Sequence, residues 1–331
     1  MKHINVALFV PDAGCPHRCS FCNQKTISGK ITPLRPEEID HAVKIALKTV
    51  SCNEGEIAFF GGSFTAIDKD YMICLLERAY SYVNQGLFKG IRISTRPDCI
   101  DDDILDALKR YGVSAIELGC QSMDDEVLLL NKRGHTESDV IKAVRLIKAR
   151  GFELGLQMMT GLYGDTDEKA IKTAEKIIAL CPDTVRIYPT ILLEGTDLCE
   201  LYRKGLYAPQ TVAAAAELCK KLLLMFEKEG IRVIRLGLHS GGNVEEGFVA
   251  GPYHPAFREI CESKIYLDKV LYQLNEKSIT GDEIEITVGS SFVSMLTGQK
   301  KCNILKLNEM GYKVKIVQNQ EYEKYKVSVR G

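Results

Sequence analysis

Short runs of β-branched and aromatic residues alternate with stretches of helical periodicity along the first 240 residues of this chain. Six runs predict strands at residues 6–10, 57–60, 91–95, 114–118, 153–159 and 184–188. Amphipathic stretches predict helices at residues 36–50, 71–83, 103–111, 139–150, 168–180 and 210–229, and another strand-like run, IRVIRLGL, follows the last of them. Successive βα units predict a parallel α/β sheet that is closed or partly closed into a barrel. The loops after the strands of such a sheet gather at one face, so motifs in different loops can meet.

The chain is long enough, at 331 residues, to bury a large core without disulfide bonds. Its twelve cysteines are therefore not needed as covalent staples. No N-terminal segment combines basic residues, an apolar stretch and a small-residue cleavage site, and no apolar run approaches the roughly 20 residues that cross a bilayer. We expect a soluble cytoplasmic protein, in which thiols stay reduced and a tight cysteine cluster binds metal or takes part in catalysis.

The end of the chain differs from the rest in pattern and in charge. From Gly298 onward there are eight basic and three acidic residues, a net charge of +5, whereas the preceding residues sum to −6. The tail predicts the element order β-α-loop-α-β-β, which resembles the KH module that binds nucleic-acid backbone with the loop between its helices. The equivalent loop here, GQKK, contains Lys300 and Lys301 but lacks the second glycine of the KH loop. The two lysines are thus candidates for contact with nucleic acid.

These changes in pattern divide the chain into three expected parts. A barrel domain covers residues 1–240, and a Gly-rich linker or lid covers residues 241–262. A small basic C-terminal α+β domain covers residues 263–331. This last part either binds nucleic acid or is an appendage that only packs against the barrel.

Three cysteines lie close together in the segment CPHRCSFC, directly after the first predicted strand. A structural zinc site has four protein ligands, and a [4Fe–4S] electron carrier has four cysteines. The thiolates of Cys15, Cys19 and Cys22 would instead leave one position of a metal site open, as in catalytic sites. His17 could add a fourth ligand, but it lies inside the loop between Cys15 and Cys19, where reaching the same metal is difficult.

The spacing CxxxCxxC after the first strand resembles the signature of radical S-adenosylmethionine (SAM) enzymes, and Phe21 matches the aromatic residue usual in that signature. The resemblance implies that Cys15, Cys19 and Cys22 bind three irons of a [4Fe–4S] cluster, whose fourth iron binds the amino and carboxylate groups of SAM. It also implies that reductive cleavage of SAM gives methionine and a 5′-deoxyadenosyl radical, while the protein supplies position and excludes water. An electron donor of flavodoxin or ferredoxin type belongs to the same expectation.

Further segments at the ends of predicted strands resemble the SAM-binding segments of this family. FFGGSFT, at the end of the second strand, is similar to the motif that binds the methionine amino group, with Ser63 in place of the usual glutamate. The segments ISTRPD, IELGCQSMDDEVLLLNKRGHT and GLQMMTGLYGDT end the third, fourth and fifth strands. The last two are similar to segments of oxygen-independent coproporphyrinogen oxidases. The residues that the resemblance assigns to SAM are Gly61, Gly62, Ser63, Thr95, Gln121, Arg133 and Gln157.

The longest resemblance is to the radical SAM domain in the catalytic subunit of elongator, and it runs from Asn5 to His239. It implies a partial (β/α)6 TIM-like radical SAM barrel whose mouth holds both the cluster and SAM. The acetyltransferase domain of that subunit has no counterpart in this sequence, so acetyl-CoA is not implied as a co-substrate. The resemblance points to an RNA substrate, a tRNA base in particular, in agreement with the basic tail.

Two further residues are candidates for a catalytic role. Cys120 directly precedes Gln121, and Tyr188 ends the sixth predicted strand. Three functions stay open for the whole chain: a radical SAM enzyme that modifies RNA, a radical SAM enzyme that acts on a small-molecule metabolite, and a non-catalytic Fe–S or zinc sensor or scaffold. The third predicts a fourth metal ligand and no affinity for SAM.

Overall fold

A computed structural model of the protein describes residues 5–10, 15, 18–23, 26, 29, 32–49, 54–238 and 242–331. All three cysteines of the CPHRCSFC segment lie within these residues. His17, Val50 at the expected end of the first helix, and His239 lie outside them.

Twelve strands are seen in the described residues, and most of them belong to one sheet. In chain order they are β1 Asn5–Val10, β2 Glu56–Gly61, β3 Gly90–Thr95, β4 Val113–Gln121, β5 Glu153–Thr160, β6 Thr184–Pro189, β7 Leu192–Leu193, β8 Arg232–Leu236, β9 Phe248–Ala250, β10 Glu283–Val288, β11 Lys313–Gln318 and β12 Val327–Arg330. The main sheet has the order β1-β2-β3-β4-β5-β6-β8, and every neighbouring pair is parallel. Because β1 and β8 stand at its two edges, the sheet is a partial barrel, which confirms the predicted architecture and adds one strand to the six.

The helices follow the strands as the periodicity predicts. In chain order they are α1 Pro36–Thr49, α2 Lys69–Asn84, α3 Asp102–Arg110, α4 Asp125–Leu130, α5 Glu137–Ala149, α6 Asp167–Ala179, α7 Asp197–Arg203, α8 Val212–Lys228, α9 Gly242–Gly247, α10 Phe257–Glu276, α11 Val293–Thr297 and α12 Cys302–Glu309. The six helices expected from periodicity correspond to α1, α2, α3, α5, α6 and α8. The position expected for a domain boundary, residue 263, lies inside α10.

The helices that start at the carboxyl ends of strands are capped by aspartate or threonine side chains. Asp101, Asp124, Thr136 and Thr166 each accept a hydrogen bond from the backbone N–H three residues later. Such caps satisfy N–H groups that have no partner within the helix. The caps therefore help to define the loops at the carboxyl face of the sheet, where the sequence motifs lie.

The two faces of the main sheet differ in character. Between the sheet and the helices lies an apolar core, in which the rings of Phe59 and Phe64 stack with their centroids 4.7 Å apart. The concave face carries buried charges instead: Arg92 donates to Glu56 at 2.6 Å and to Glu153 at 2.8 Å. Removing one member of such a buried group leaves an uncompensated charge, which costs several kcal/mol. These ion pairs therefore link β2, β3 and β5 inside the partial barrel.

The C-terminal part of the chain forms a small mixed sheet beside the barrel. Its strand order is β11-β10-β12, with β10 parallel to β11 and antiparallel to β12. Helix α10 packs against both α8 and β12, and the hydroxyl of Tyr266 in α10 accepts a hydrogen bond from the backbone N–H of Tyr325 (2.8 Å). The long helix therefore connects this sheet to the barrel.

None of the helices within the described ranges is both long and apolar enough to cross a lipid bilayer.

Candidate functional site

The loop that carries the three cysteines is held by two segments far away in the sequence. Ser20 donates through its hydroxyl to Asn131 Oδ1 (2.8 Å) and through its backbone N–H to the carbonyl of Asn131 (3.1 Å). On the other side, Arg18 and Asn23 donate to the carbonyls of Gly195 and Glu194, each over 2.8 Å. The loop is therefore tied both to the segment after α4 and to the segment before α7.

The three cysteines differ in their exposure. Cys19 is buried, whereas Cys15 and Cys22 are partly exposed, and the backbone N–H of Cys22 donates to the carbonyl of Cys19 (3.2 Å). In the part of the chain that the structure describes, no group of three or more His, Cys, Asp or Glu side chains is arranged to hold a metal ion, the three cysteines included. What indicates a metal cluster at this site is the chemistry of the side chains around the cysteines.

Arg133 joins the cysteine loop to the main sheet. Its Nη1 lies 3.2 Å from Cys19 Sγ, and its Nη2 donates to the carbonyl of Gly119 in β4 over 2.6 Å. The side chain of Arg133 is buried, and its Nε has no hydrogen-bond partner. Thiolates are the ligands of Fe–S clusters, and a nearby cation stabilises a thiolate. A cysteine sulfur beside a buried guanidinium is thus a donor set that fits an iron–sulfur cluster.

A second buried arginine stands directly behind the first. Arg96 follows β3, forms a bidentate pair with Asp98 in which both nitrogen–oxygen distances are 2.9 Å, and donates to the carbonyl of Arg133. Burial lowers the pKa of the Arg96 guanidinium, but Asp98 more than offsets this, so the pKa is raised and the charge is kept. Its Nη1 is buried without a partner. Two buried guanidiniums beside one described carboxylate leave the region around Cys19 with a positive charge.

The ends of β2 and β3 share a network of hydroxyl groups. The Oγ of Ser63 lies 2.8 Å from Thr95 Oγ1, which in turn lies 2.6 Å from Thr65 Oγ1. Ser63 also accepts a hydrogen bond from the backbone N–H of Arg96. All three hydroxyl side chains are buried. Thr95 is thus already engaged by hydroxyl partners within the protein, and Ser63 links the FFGGSFT motif to β3.

The glycine pair of that motif makes a close contact with β1. Gly61 has a φ of +116°, and a Cβ placed on it would overlap the carbonyl oxygen of Val10. The same carbonyl accepts a hydrogen bond from the N–H of Gly62 (3.1 Å). Both glycines are partly exposed at the carboxyl face. Only glycine is compatible with the backbone at position 61.

We expect Gly61→Ala to lower the free energy of unfolding by at least about 2 kcal/mol, because it combines an unfavourable φ with a clash against backbone. Chemical denaturation measures this difference. Gly86→Ala is the matched control, since Gly86 also has a positive φ, of +73°, but a Cβ there meets nothing within 4 Å. Equal losses for the two variants would contradict the claim that the contact with Val10 requires a glycine.

Two amide side chains lie together at the carboxyl ends of β4 and β5. Gln157 Nε2 donates to Gln121 Oε1 over 3.0 Å. Gln121 adopts a φ of 66°, unusual for a residue other than glycine, next to a register shift between β4 and β5. Strained backbone of this kind tends to occur where side chains are aimed at a ligand. The pair leaves further amide donors and acceptors for a polar group.

Cys120 is buried even more completely than its neighbour Gln121, of which 6% is exposed. It is completely buried in the core between the sheet and the helices, and burial raises the pKa of its thiol to about 12. His135 approaches the carbonyl of Cys120 with Nε2 at 3.2 Å, and burial, together with the charge of Arg133, lowers the pKa of His135 to about 4. A protonated, buried thiol gives no support to a catalytic role for Cys120.

The remaining predicted residues lie at two separate places. Tyr188 lies in β6 and is partly exposed. Lys300 and Lys301 lie between α11 and α12, where both are exposed and have φ angles of 52° and 61°. Nothing in the described residues brings these two lysines into the cysteine site.

The sequence motifs missed several residues that shape the site. Asn131 anchors the cysteine loop, and Arg96 anchors Arg133. Each contact joins residues more than 30 positions apart in the sequence. Arg96 stands in the quoted segment ISTRPD, so its place next to Thr95 was an available signal. Asn131 stands in the quoted segment IELGCQSMDDEVLLLNKRGHT, but no pattern in that segment marks its role.

The chain matches the model of the radical SAM superfamily over residues 10–177 and that of the Radical_SAM C-terminal domain over residues 182–266. The first match covers half of the chain and includes every residue that the sequence assigned to the cluster and to SAM. The chain belongs to the radical SAM superfamily.

Curated relatives and a solved structure extend this result. The chain is similar to the tRNA uridine(34) acetyltransferase of Methanocaldococcus infernus, with 27% identity over 256 residues that cover 64% of this chain and 47% of that protein. It is similar to Elongator complex protein 3 of Homo sapiens, with 32% identity over 196 residues, 53% of this chain and 36% of that protein. The chain thus spans about half the length, or less, of the curated relatives named here.

A solved structure of archaeal Methanocaldococcus infernus Elp3 with an N-terminal deletion matches with a TM-score of 0.63 and 20% identity. The match covers 88% of this chain and 68% of that chain. At this level of identity the likeness concerns the fold, and it agrees with the partial barrel described above.

Proposed function

We propose that this chain is a radical SAM enzyme that reductively cleaves SAM at a [4Fe–4S] cluster and acts on a tRNA base. The observation that carries the proposal is the contact between a cysteine of the CxxxCxxC segment, Cys19, and the buried guanidinium of Arg133 (3.2 Å). The contact lies at the carboxyl ends of parallel strands, the face at which barrels of this kind place their active sites. Membership of the superfamily supports the same function.

The thiolates of Cys15, Cys19 and Cys22 would hold the cluster. When bound, the cluster supplies an electron to SAM, which yields methionine and a 5′-deoxyadenosyl radical. The residues of the chain itself have an electrostatic and a steric role. The positive charges of Arg96 and Arg133 offset the negative charge of thiolates, and the bonds of Ser20 to Asn131 fix the loop.

The carboxyl ends of β2 to β5 supply the groups for SAM in this proposal. The end of β2 would bind the methionine amino group, and Arg133 would bind the carboxylate. The amide pair at β4 and β5 would bind ribose hydroxyls, for which it has complementary donors and acceptors. The residues assigned to SAM are Gly61, Gly62, Ser63, Thr95, Gln121, Arg133 and Gln157.

The tRNA substrate is supported by the relatives and by the tail. One relative is named a tRNA uridine(34) acetyltransferase, and in the tail the exposed Lys300 and Lys301 stand on adjacent positions of one loop. Phosphate contacts from such lysines would give affinity without sequence preference. In this proposal the chain consists of a barrel domain (residues 1–240), a linker or lid (241–262) and a C-terminal domain (263–331) that binds RNA. The electron would come from a flavodoxin- or ferredoxin-type donor.

A reducing compartment suits the proposed cluster. Thiolate ligands are available to iron only while they stay reduced, and a reducing compartment keeps them so. We therefore assign the enzyme to the cytoplasm as part of the proposal.

Reversing the charge of the tail loop tests the RNA assignment. Lys300→Glu with Lys301→Glu is expected to weaken tRNA binding and to reduce the slope of log affinity against log salt by about 1 to 2, one unit for each lost phosphate contact. Filter binding over a salt series measures both quantities. The control, Lys269→Glu with Lys313→Glu, makes the same change in net charge at exposed positions elsewhere in the C-terminal part.

Unchanged tRNA affinity in the tail-loop variant would contradict the assignment of that loop. The substrate class itself is tested by adding bulk tRNA to the enzyme during SAM cleavage. A change in the rate of 5′-deoxyadenosine formation supports an RNA substrate. A rate indifferent to tRNA would instead favour a small-molecule metabolite.

A further inference from the structure

A row of polar side chains crosses the concave face beside the residues assigned to SAM. In the register of the sheet, Gln157 of β5 is the partner of Arg186 in β6, and Arg186 is the partner of Arg235 in β8. Gln157 also donates to Gln121. The row therefore runs from the proposed SAM residues to the far edge of the sheet.

Arg186 shows which face this row occupies. Its guanidinium lies 5.3 Å from the ring centroid of Phe60, a residue of β2, and three strands separate β2 from β6 in the sheet. The two side chains can meet only across the hollow of the partial barrel. Tyr188 lies two residues after Arg186 on the same strand, so it projects to the same face, and it contributes to the raised pKa of Arg186.

Arg186 already has a counter-ion. It binds Glu117 through two hydrogen bonds, Nε to Oε2 over 2.6 Å and Nη2 to Oε1 over 2.9 Å. Both side chains are largely buried, with 13% and 6% of their surface exposed. A bidentate pair of this kind holds the guanidinium plane in a fixed direction. The guanidinium of Arg186 is therefore held in a fixed position beside Arg235.

Arg235 has no comparable partner. Its Nε donates to the carbonyl of Gly237 over 3.0 Å, but it forms no ion pair with any carboxylate that the structure describes. The Arg235 side chain as a whole is partly exposed. Burial of the side chain lowers the pKa of Arg235. Tyr188 and Glu259 raise that pKa and the charges of Arg186 and Arg258 lower it, and the net shift is downward. A second positive group beside Arg186, half-buried and uncompensated, is unfavourable unless an anion joins it.

We propose that Arg235, backed by Arg186 and Tyr188, binds an oxyanion group of the substrate, a phosphate or a carboxylate, inside the hollow of the partial barrel. The assignment of this group to the substrate rests on the proposed function. A substrate held there lies in the same row as Gln157, next to the proposed SAM site. Arg235 is on this account a binding residue that no sequence motif indicated.

Chemical modification of arginine tests the subsite without any need for SAM cleavage. The full chain is treated with phenylglyoxal, and the modified fractions of Arg235 and Arg232 are followed by peptide mass spectrometry. Arg232 starts the same strand, and 69% of its side chain is exposed, so it is an internal control. The probes are uridine 5′-monophosphate, uridine and acetate, which separate a nucleotide phosphate from a free carboxylate.

We expect Arg235 to be modified in the free protein and to be protected by an oxyanion. At a ligand concentration about ten times its dissociation constant, the rate at Arg235 should fall about tenfold, with little change at Arg232. Protection by uridine 5′-monophosphate but not by uridine identifies a phosphate, and protection by acetate alone identifies a carboxylate. No modification of Arg235, no protection by either oxyanion, or equal protection of Arg232 would each overturn the proposal.

A substitution gives the second measurement. Arg235→Gln keeps most of the side-chain volume and removes the charge, so the oxyanion that protects Arg235 should bind about tenfold more weakly by calorimetry. Arg232→Gln should leave that affinity unchanged. Unchanged affinity in Arg235→Gln would contradict the proposal. Both measurements are independent of SAM cleavage, so a failure of the proposed function and a failure of the subsite give different results.

Discussion

Replacing Cys15, Cys19 or Cys22 with alanine is expected to abolish iron loading and SAM cleavage while leaving the chain folded. Each thiolate is proposed to hold one iron, and two thiolates cannot hold a cluster that needs three. The apolar core between the sheet and the helices does not include the three cysteines, so folding should not depend on the metal. Iron and sulfide content, 5′-deoxyadenosine formation and thermal unfolding measure the three parts of this prediction.

The matched control is Cys74→Ala, which removes an exposed thiol from α2. This variant should load iron and cleave SAM like the unmodified chain. Loss of the folded state in the three motif variants would show that the metal has a structural role. Full iron loading without any one of the motif thiols would contradict their assignment as ligands.

Replacing Arg133 with methionine is the second change with a large expected effect. It removes the cation that contacts Cys19 Sγ and the donor to the carbonyl of Gly119. Hydrogen bonds and charges at the sulfur ligands stabilise the reduced form of a cluster. We therefore expect the reduction potential to fall by about 60 mV, a tenfold change in a one-electron equilibrium. Redox titration followed by electron paramagnetic resonance measures the potential.

The adjacent Lys132 offers a control for this prediction. Its side chain is 63% exposed and pairs with Asp197, so Lys132→Met removes a charge at the neighbouring position without touching Cys19. Its potential should stay close to that of the unmodified chain. An unchanged potential in Arg133→Met, with weaker SAM binding alone, would contradict a role at the cysteine and leave only the role at the SAM carboxylate.

The barrel could be predicted because its signals are local. The first six strands are short runs of β-branched and aromatic residues, and the helices after them have their own apolar period. Most of these helices also have a cap, as the segment from Asp101 to Val113 illustrates. The seventh strand, β8, was visible as the run IRVIRLGL. Its place at the edge beside β6 was not, because strand pairing over many residues depends on tertiary packing.

Helix α10 was not among the helices that the sequence predicted. The expected boundary at residue 263 falls inside it, and nine of its residues are buried. The helix begins at Phe257 after a Gly- and Pro-rich segment, and its N-cap residue, Ala256, makes no side-chain cap hydrogen bond. Because no capping side chain precedes the helix, no local sequence signal indicated where it starts.

The candidate site, like the fold, could be predicted only where its signals are local in the sequence. The motif residues were found because the segments that contain them resemble those of radical SAM enzymes. Most of these segments end strands, and the parallel sheet brings such ends to one face. The contacts that define the chemistry join distant segments: Cys19 with Arg133, and Glu117 with Arg186. Such contacts depend on the curvature of the sheet, which no local pattern encodes.

Anaerobic cleavage of SAM tests the central claim most directly. The full chain is reconstituted with iron and sulfide, reduced with dithionite and mixed with SAM, and 5′-deoxyadenosine is quantified against a sample without iron. We predict 5′-deoxyadenosine in the loaded, reduced sample and none above background without iron. A fully loaded protein that forms no 5′-deoxyadenosine, with or without tRNA, would contradict the assignment of this chain as a radical SAM enzyme.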